Sequence, residues 1–192
     1  MKRERKPEIR EGIRARDALI ALMSDPMAPL PSRMMVVNLL REMALPPPTD
    51  LYIAWQLSRG LEDELADCAL EGLEAAGEQA LPAMLEALPQ AGEAGQEALL
   101  SVLSRYPGLS GVYEALIRLF DATPSRTPSL AAYLGRLGDE RALPLLMSRA
   151  KEPDLDYLDY IELRSAIEAL GGEAPEREFG DDPGYEALRD ME

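Results

Sequence analysis

An all-helical chain of stacked helix pairs is the fold that this sequence predicts, and three observations point to it. Leu, Ala, Glu and Met dominate while Phe occurs twice and Trp once in 192 residues, a balance that suits helices better than a sheet rich in aromatic and β-branched residues. Apolar residues recur at i, i+3 and i+4 within short segments. The segments themselves recur. Glycines close them at Gly77, Gly108, Gly138 and Gly171, 31, 30 and 33 residues apart. The first large apolar residue of the following segment returns at Leu19, Leu51, Leu81, Val112 and Leu143, separated by 32, 30, 31 and 31. Two agreeing rulers of this length predict an α-α superhelix of about five helix pairs rather than an ordinary bundle.

Taken in order, the chain opens on a basic segment, with seven Lys or Arg against three Glu from Met1 to Arg16, and reaches its first apolar anchor at Leu19. PPPTD at 46–50 reads as a loop in which Thr49 or Asp50 caps the next helix. Tyr52 and Trp55 fall on apolar repeat positions there, and Tyr113 does so later, so core packing is the role expected of all three. Between 64 and 78 one face carries Leu65, Ala69, Leu73 and Ala76. The opposite face carries Glu64, Asp67, Glu71, Glu74 and Glu78, spaced 3, 4, 3 and 4.

The first helix of each later pair is marked by Leu81, Met84, Leu85 and Leu88, by Val112, Ala115, Leu116 and Leu119, and by Leu143, Leu146 and Met147. Ala69, Leu100, Leu130 and Leu163 hold equivalent places in the second helices. Segments of about 10 to 16 residues are marginal alone in water, so their stability must come from their neighbours. YLGRLGDERALPLL at 133–146 is a helix-to-helix corner. Gly138 is expected to be left-handed, Asp139 to cap, and Leu143 to restart the buried stripe. Pro144 and Pro82 lie far enough inside that each helix must start late or bend. The polar stretch 173–192 reads as an acidic tail or a cap docked through Phe179, Tyr185 and Leu188, following a repeat domain over 1–172.

LAAYLGRLGDERALPLL at 130–146 and GEQALPAMLEAL at 77–88 resemble the HEAT repeat, in its short form also found in phycobilisome-lyase-like proteins. The resemblance implies a right-handed superhelix whose second helices line a concave face. It also implies an interaction scaffold, or alternatively a HEAT-like enzyme of the bilin lyase or DNA glycosylase kind. A glycosylase would want a basic, aromatic-bearing groove, and this chain offers acids instead.

The residues themselves argue against catalysis. The chain has no His, which removes Ser-His-Asp and Cys-His pairs and the usual zinc sites, and GxGxxG, GxxxxGK[ST] and GxSxG are absent. Cys68, the single cysteine, sits beside apolar positions and is expected to be a buried, inert thiol in a reducing compartment. Asp154, Asp156, Asp159 and Glu162 could offer hard oxygens to Ca²⁺ or Mg²⁺, but their placement before and within a first turn reads as helix initiation. No cofactor and no metal are expected. A net charge of −15 disfavours nucleic acid and anionic membranes, and without an apolar run of spanning length or a signal-like segment the expected location is cytoplasmic.

The most ordered charged feature is the row of Glu64, Asp67, Glu71, Glu74 and Glu78. From 60 to 104 there are ten acids and no base, whereas a merely solvated face intersperses Lys and Arg. The row is therefore the candidate surface for a basic protein or peptide.

Overall fold

The computed structural model describes residues 5–43, 48–50, 52–53, 63–180 and 182–189. Among them there are helices and no strands. Ten α-helices have both ends among the described residues: α1 (Arg5–Ser24), α2 (Leu30–Glu42), α3 (Glu64–Ala76), α4 (Leu81–Ala87), α5 (Glu93–Leu103), α6 (Val112–Ala122), α7 (Thr127–Leu137), α8 (Leu143–Arg149), α9 (Tyr157–Ala169) and α10 (Pro183–Arg189). The chain divides into two compact units, Met1–Leu99 and Leu100–Glu192, with the division inside α5.

In the first unit α2 packs against both α1 and α3. The buried side of α2 is Arg33, Val36, Val37 and Leu40. Arg33 is accommodated because its Nε donates to the Met23 carbonyl at 2.7 Å, satisfying a carbonyl that the end of α1 leaves free. Residues 49–50 and 52–53 are helical, so Thr49 and Asp50 lie inside the first turn rather than capping it, while Pro48 accepts from the Tyr52 amide at 3.1 Å. Tyr52 is fully buried as expected, its ring against α3 where Gly72 leaves room. A Cβ on Gly72 would come within 2.6 Å of the Tyr52 ring. Trp55, Leu51 and the loop at 46–47 lie outside the described residues.

The second unit is built on α7. It packs against α6, the preceding helix, and most extensively against α9, with α8 intervening in sequence. Gly135 permits that approach, since a Cβ there would meet the Ala166 backbone at 3.0 Å. Leu130, Ala131 and Leu134 from α7 and Leu163 and Ile167 from α9 are wholly buried.

The glycine ruler reports backbone conformation. Gly77, Gly108, Gly138 and Gly171 all take positive φ, from 57° to 81°, and Gly111 does so at 93°. Gly138 ends α7 in the left-handed region with its amide bonded to the Leu134 carbonyl. Of the two alternatives for the prolines, the late start holds. Short 3₁₀ turns at Gly77–Gln79 and Glu140–Ala142 precede α4 and α8, placing Pro82 and Pro144 in the first turn, where a missing N–H costs nothing. Asp139 caps the 3₁₀ turn, accepting from the Arg141 amide. The stripe does not restart at Leu143, which is half-buried. Past Gly138, Ala142 and Leu146 are the buried residues of that corner.

Pro175, Phe179 and Tyr185, beyond Gly172, dock on α9. Phe179 and Tyr185 each meet the Tyr157 ring edge-on at 5.1 Å, and Tyr160 donates to the Pro175 carbonyl at 2.7 Å. Arg177 donates to three carbonyls of the turn before α9, those of Glu152, Pro153 and Leu155. Asp182 accepts from the Tyr157 amide at the start of α9 and from Gly184 and Tyr185 at the start of α10. Burial raises its carboxyl, but those three amides outweigh burial and hold it below the ordinary range. The side chain of Leu188 lies outside the described residues.

Candidate functional site

The acid row belongs to α3, and the local sequence fixes how it is displayed. Asp63 caps the helix, accepting from the Leu65 and Ala66 amides at 3.0 Å each. Leu65, Ala69 and Leu73 are buried on one side, so residues at i−1, i+2 and i+6 of that stripe must turn outward. Glu64, Asp67 and Glu71 are exposed and Glu74 is half-buried. Glu78 is not on the helix. The chain leaves α3 at Gly77, and Glu78 sits exposed in the 3₁₀ turn that follows. Four of the five carboxylates therefore share the helix, and the fifth lies beyond its end.

Sequence reading found no base near this row, yet one is present in space. Arg41, in the last turn of α2, places its Nη1 2.9 Å from Glu71 Oε2 and 3.3 Å from Asn38 Oδ1. The pair is exposed, with the Glu71 side chain 60% accessible, so its contribution to stability is about 0 to 1 kcal/mol. Its greater effect is to join the surfaces of α2 and α3. The two residues are 30 positions apart in the chain, close to the spacing at which glycines and apolar anchors recur in the sequence.

Cys68 lies on the flank of this surface and is half-buried rather than buried. Burial first, then the carboxylates of Glu71, Asp67 and Glu64, push its thiol up, with Arg41 opposing. Burial and the neighbouring carboxylates together favour the protonated thiol, a poor nucleophile.

In the second unit Tyr113 is not a core residue. It is half-buried beneath Arg141, whose guanidinium carbon lies 4.0 Å above the ring centre. Arg141 also grips Asp139 through both carboxylate oxygens, at 2.6 to 3.1 Å, and approaches Glu114 at 3.6 Å. The hydrogen bond from Arg141 holds the Asp139 carboxyl below the ordinary range. Asp156 caps α9 by accepting from the Asp159 amide at 2.8 Å. Burial, and then Asp156, push Asp159 up. Among the described residues no three Asp, Glu or Cys side chains converge to hold a metal ion, and no helix is long and apolar enough to cross a membrane. No protein-family model, curated protein or solved structure matches the chain.

Proposed function

We propose that the chain is a non-enzymatic interaction scaffold, an α-solenoid of HEAT-like helix pairs whose acid row on α3 binds a basic protein or peptide. Support for stacked pairs comes from which helices touch. Within the second unit α7 packs on α9 across the intervening α8, and within the first α2 packs on α3 across the helical residues at 49–50 and 52–53. Alternate helices in contact are what stacking of repeated pairs produces. The half-buried lone thiol suits a reducing compartment, so the scaffold is read as cytoplasmic.

One observation carries the binding proposal: Glu64, Asp67 and Glu71 project together from a helix whose other side is locked in the core. Their mutual repulsion costs a few tenths of a kcal/mol per pair, a cost that a cationic ligand removes. The test is capture of the binding protein from the native host, followed by its titration against wild type and Glu64→Lys/Asp67→Lys. Both residues are exposed, so the fold should survive. Affinity should fall about tenfold or more, mostly through slower association, and added salt should mimic the substitutions. Equal affinities at low and high salt, with both proteins folded, would sink the proposal.

A further inference from the structure

Within the second unit, the outer side of α9 and the chain from Gly172 to Gly180 line a groove of about 1090 Å³. Gly172 lets that chain press on α9, since a Cβ there would meet Ile167 Cγ2 at 2.9 Å, and Tyr160 then holds the Pro175 carbonyl. The groove lies at the upper end of the roughly 300 to 1,000 Å³ of ligand sites, which is room for a short peptide segment. Its lining combines aromatic rings, from Tyr157, Tyr160, Phe179 and Tyr185, with four carboxylates set against the two guanidiniums of Arg164 and Arg177. Arg164 is paired with Glu168 at 2.7 Å. Glu173, Glu176 and Glu178 are exposed and form no ion pair among the described residues.

The molecule already sets a cation against these rings. The Arg177 guanidinium carbon lies 5.0 Å from the centre of the Phe179 ring, inside the roughly 6 Å over which a ring face attracts a cation. Phe179 and Tyr185 are inclined to Tyr157 at 71° and 75°, so π faces turn in more than one direction along the groove. We infer that this groove is a second binding site, which takes an arginine-bearing peptide segment of a partner protein, its guanidinium against the rings as Arg177 lies against Phe179. Glu173, Glu176 and Glu178 supply the charge complementarity. Arginine suits the site better than lysine, because its planar guanidinium stacks on aromatic faces and is less strongly hydrated than an ammonium. The inference does not rest on the acid row of α3.

The full chain is titrated with a short labelled peptide of Ala and Gly around one central Arg, and with a twin in which citrulline replaces it. Citrulline keeps the shape and loses the charge. The Arg peptide should bind about tenfold tighter. Glu176→Gln/Glu178→Gln removes charge from two exposed side chains, and Tyr185→Leu removes a ring while keeping apolar bulk. Each should cut the preference to about threefold or less, with circular dichroism checking the fold. If Tyr185→Leu fails to fold, Glu176→Gln/Glu178→Gln decides alone. Glu64→Lys/Asp67→Lys, on α3, should bind the Arg peptide as wild type does, so failure of the α3 proposal leaves this result untouched. Absence of binding, equal affinity for the two peptides, or a preference that survives in the folded groove variants overturns the inference. Binding lost in Glu64→Lys/Asp67→Lys but kept in the groove variants places the peptide on α3 and overturns it as well.

Discussion

Tyr52 carries a hydroxyl that is fully buried and, among the described residues, has no hydrogen-bond partner. An unpaired buried hydroxyl costs about 1 to 3 kcal/mol, so Tyr52→Phe should be neutral or stabilising at pH 7 when measured by urea denaturation. Burial pushes the phenol up to about 12 from 10.0, against the opposing charges of Arg41 and Arg16. Because the folded value lies above the unfolded one, this contribution is complete below about pH 10 and is lost as pH rises through about 12. Wild type should therefore lose stability over that window faster than Tyr52→Phe. A parallel loss in both proteins would show that the hydroxyl is not desolvated. At the corner after α7, Leu146 is fully buried whereas Leu143 is not. Deleting a buried Leu costs about 2 to 5 kcal/mol before any charge is buried, so Leu146→Asp should unfold the second unit while Leu143→Asp lowers its thermal midpoint less. The reverse order would misplace the core.

At the scale of elements, the sequence is legible wherever one residue type is forced by local backbone. Gly138 and Asp156 are of this kind: the first ends a helix at positive φ and the second satisfies amides at a start. Anchors such as Leu100, Leu130 and Leu163 are likewise buried where the period puts them. Less legible are features created by two segments meeting. Arg41 beside Glu71 and Arg141 above Tyr113 depend on which helix lies next to which, and no local pattern encodes that. The exposure of Met35 and Leu39 is invisible for the same reason, since an apolar residue declares its burial only when its neighbours are known. The Asp139–Arg141 contact supplies an element-scale prediction. Asp139 has its carboxyl lowered by Arg141, so its contribution exists above the unfolded carboxylate value of about 3.9 and fades as pH falls below it. Arg141→Met should show a shallower acid loss of stability than wild type in thermal scans from pH 5 downward, by a small margin because solvent screens so exposed a pair. Identical acid limbs would mean that the contact contributes nothing.

For the whole molecule, the net charge of −15 dominates behaviour that no single contact controls. Self-repulsion of this size opposes compaction, and at physiological ionic strength it is screened beyond roughly 8 Å. The thermal midpoint should rise as NaCl is raised from a few millimolar to physiological levels; a falling midpoint would mean that ion pairs outweigh the repulsion. Far-ultraviolet circular dichroism should report helix without appreciable sheet, in keeping with the helices of both units.

The three carbonyls held by Arg177 have a consequence for digestion. Trypsin must draw an arginine side chain into its own specificity pocket before it can cut, and this guanidinium is already bound to Glu152, Pro153 and Leu155. Cleavage after Arg177 must therefore wait for the segment to lift from α9, whereas an exposed residue such as Arg118 has only its helix to delay it. The rate of appearance of the fragment ending at Arg177 becomes a clock for that local opening.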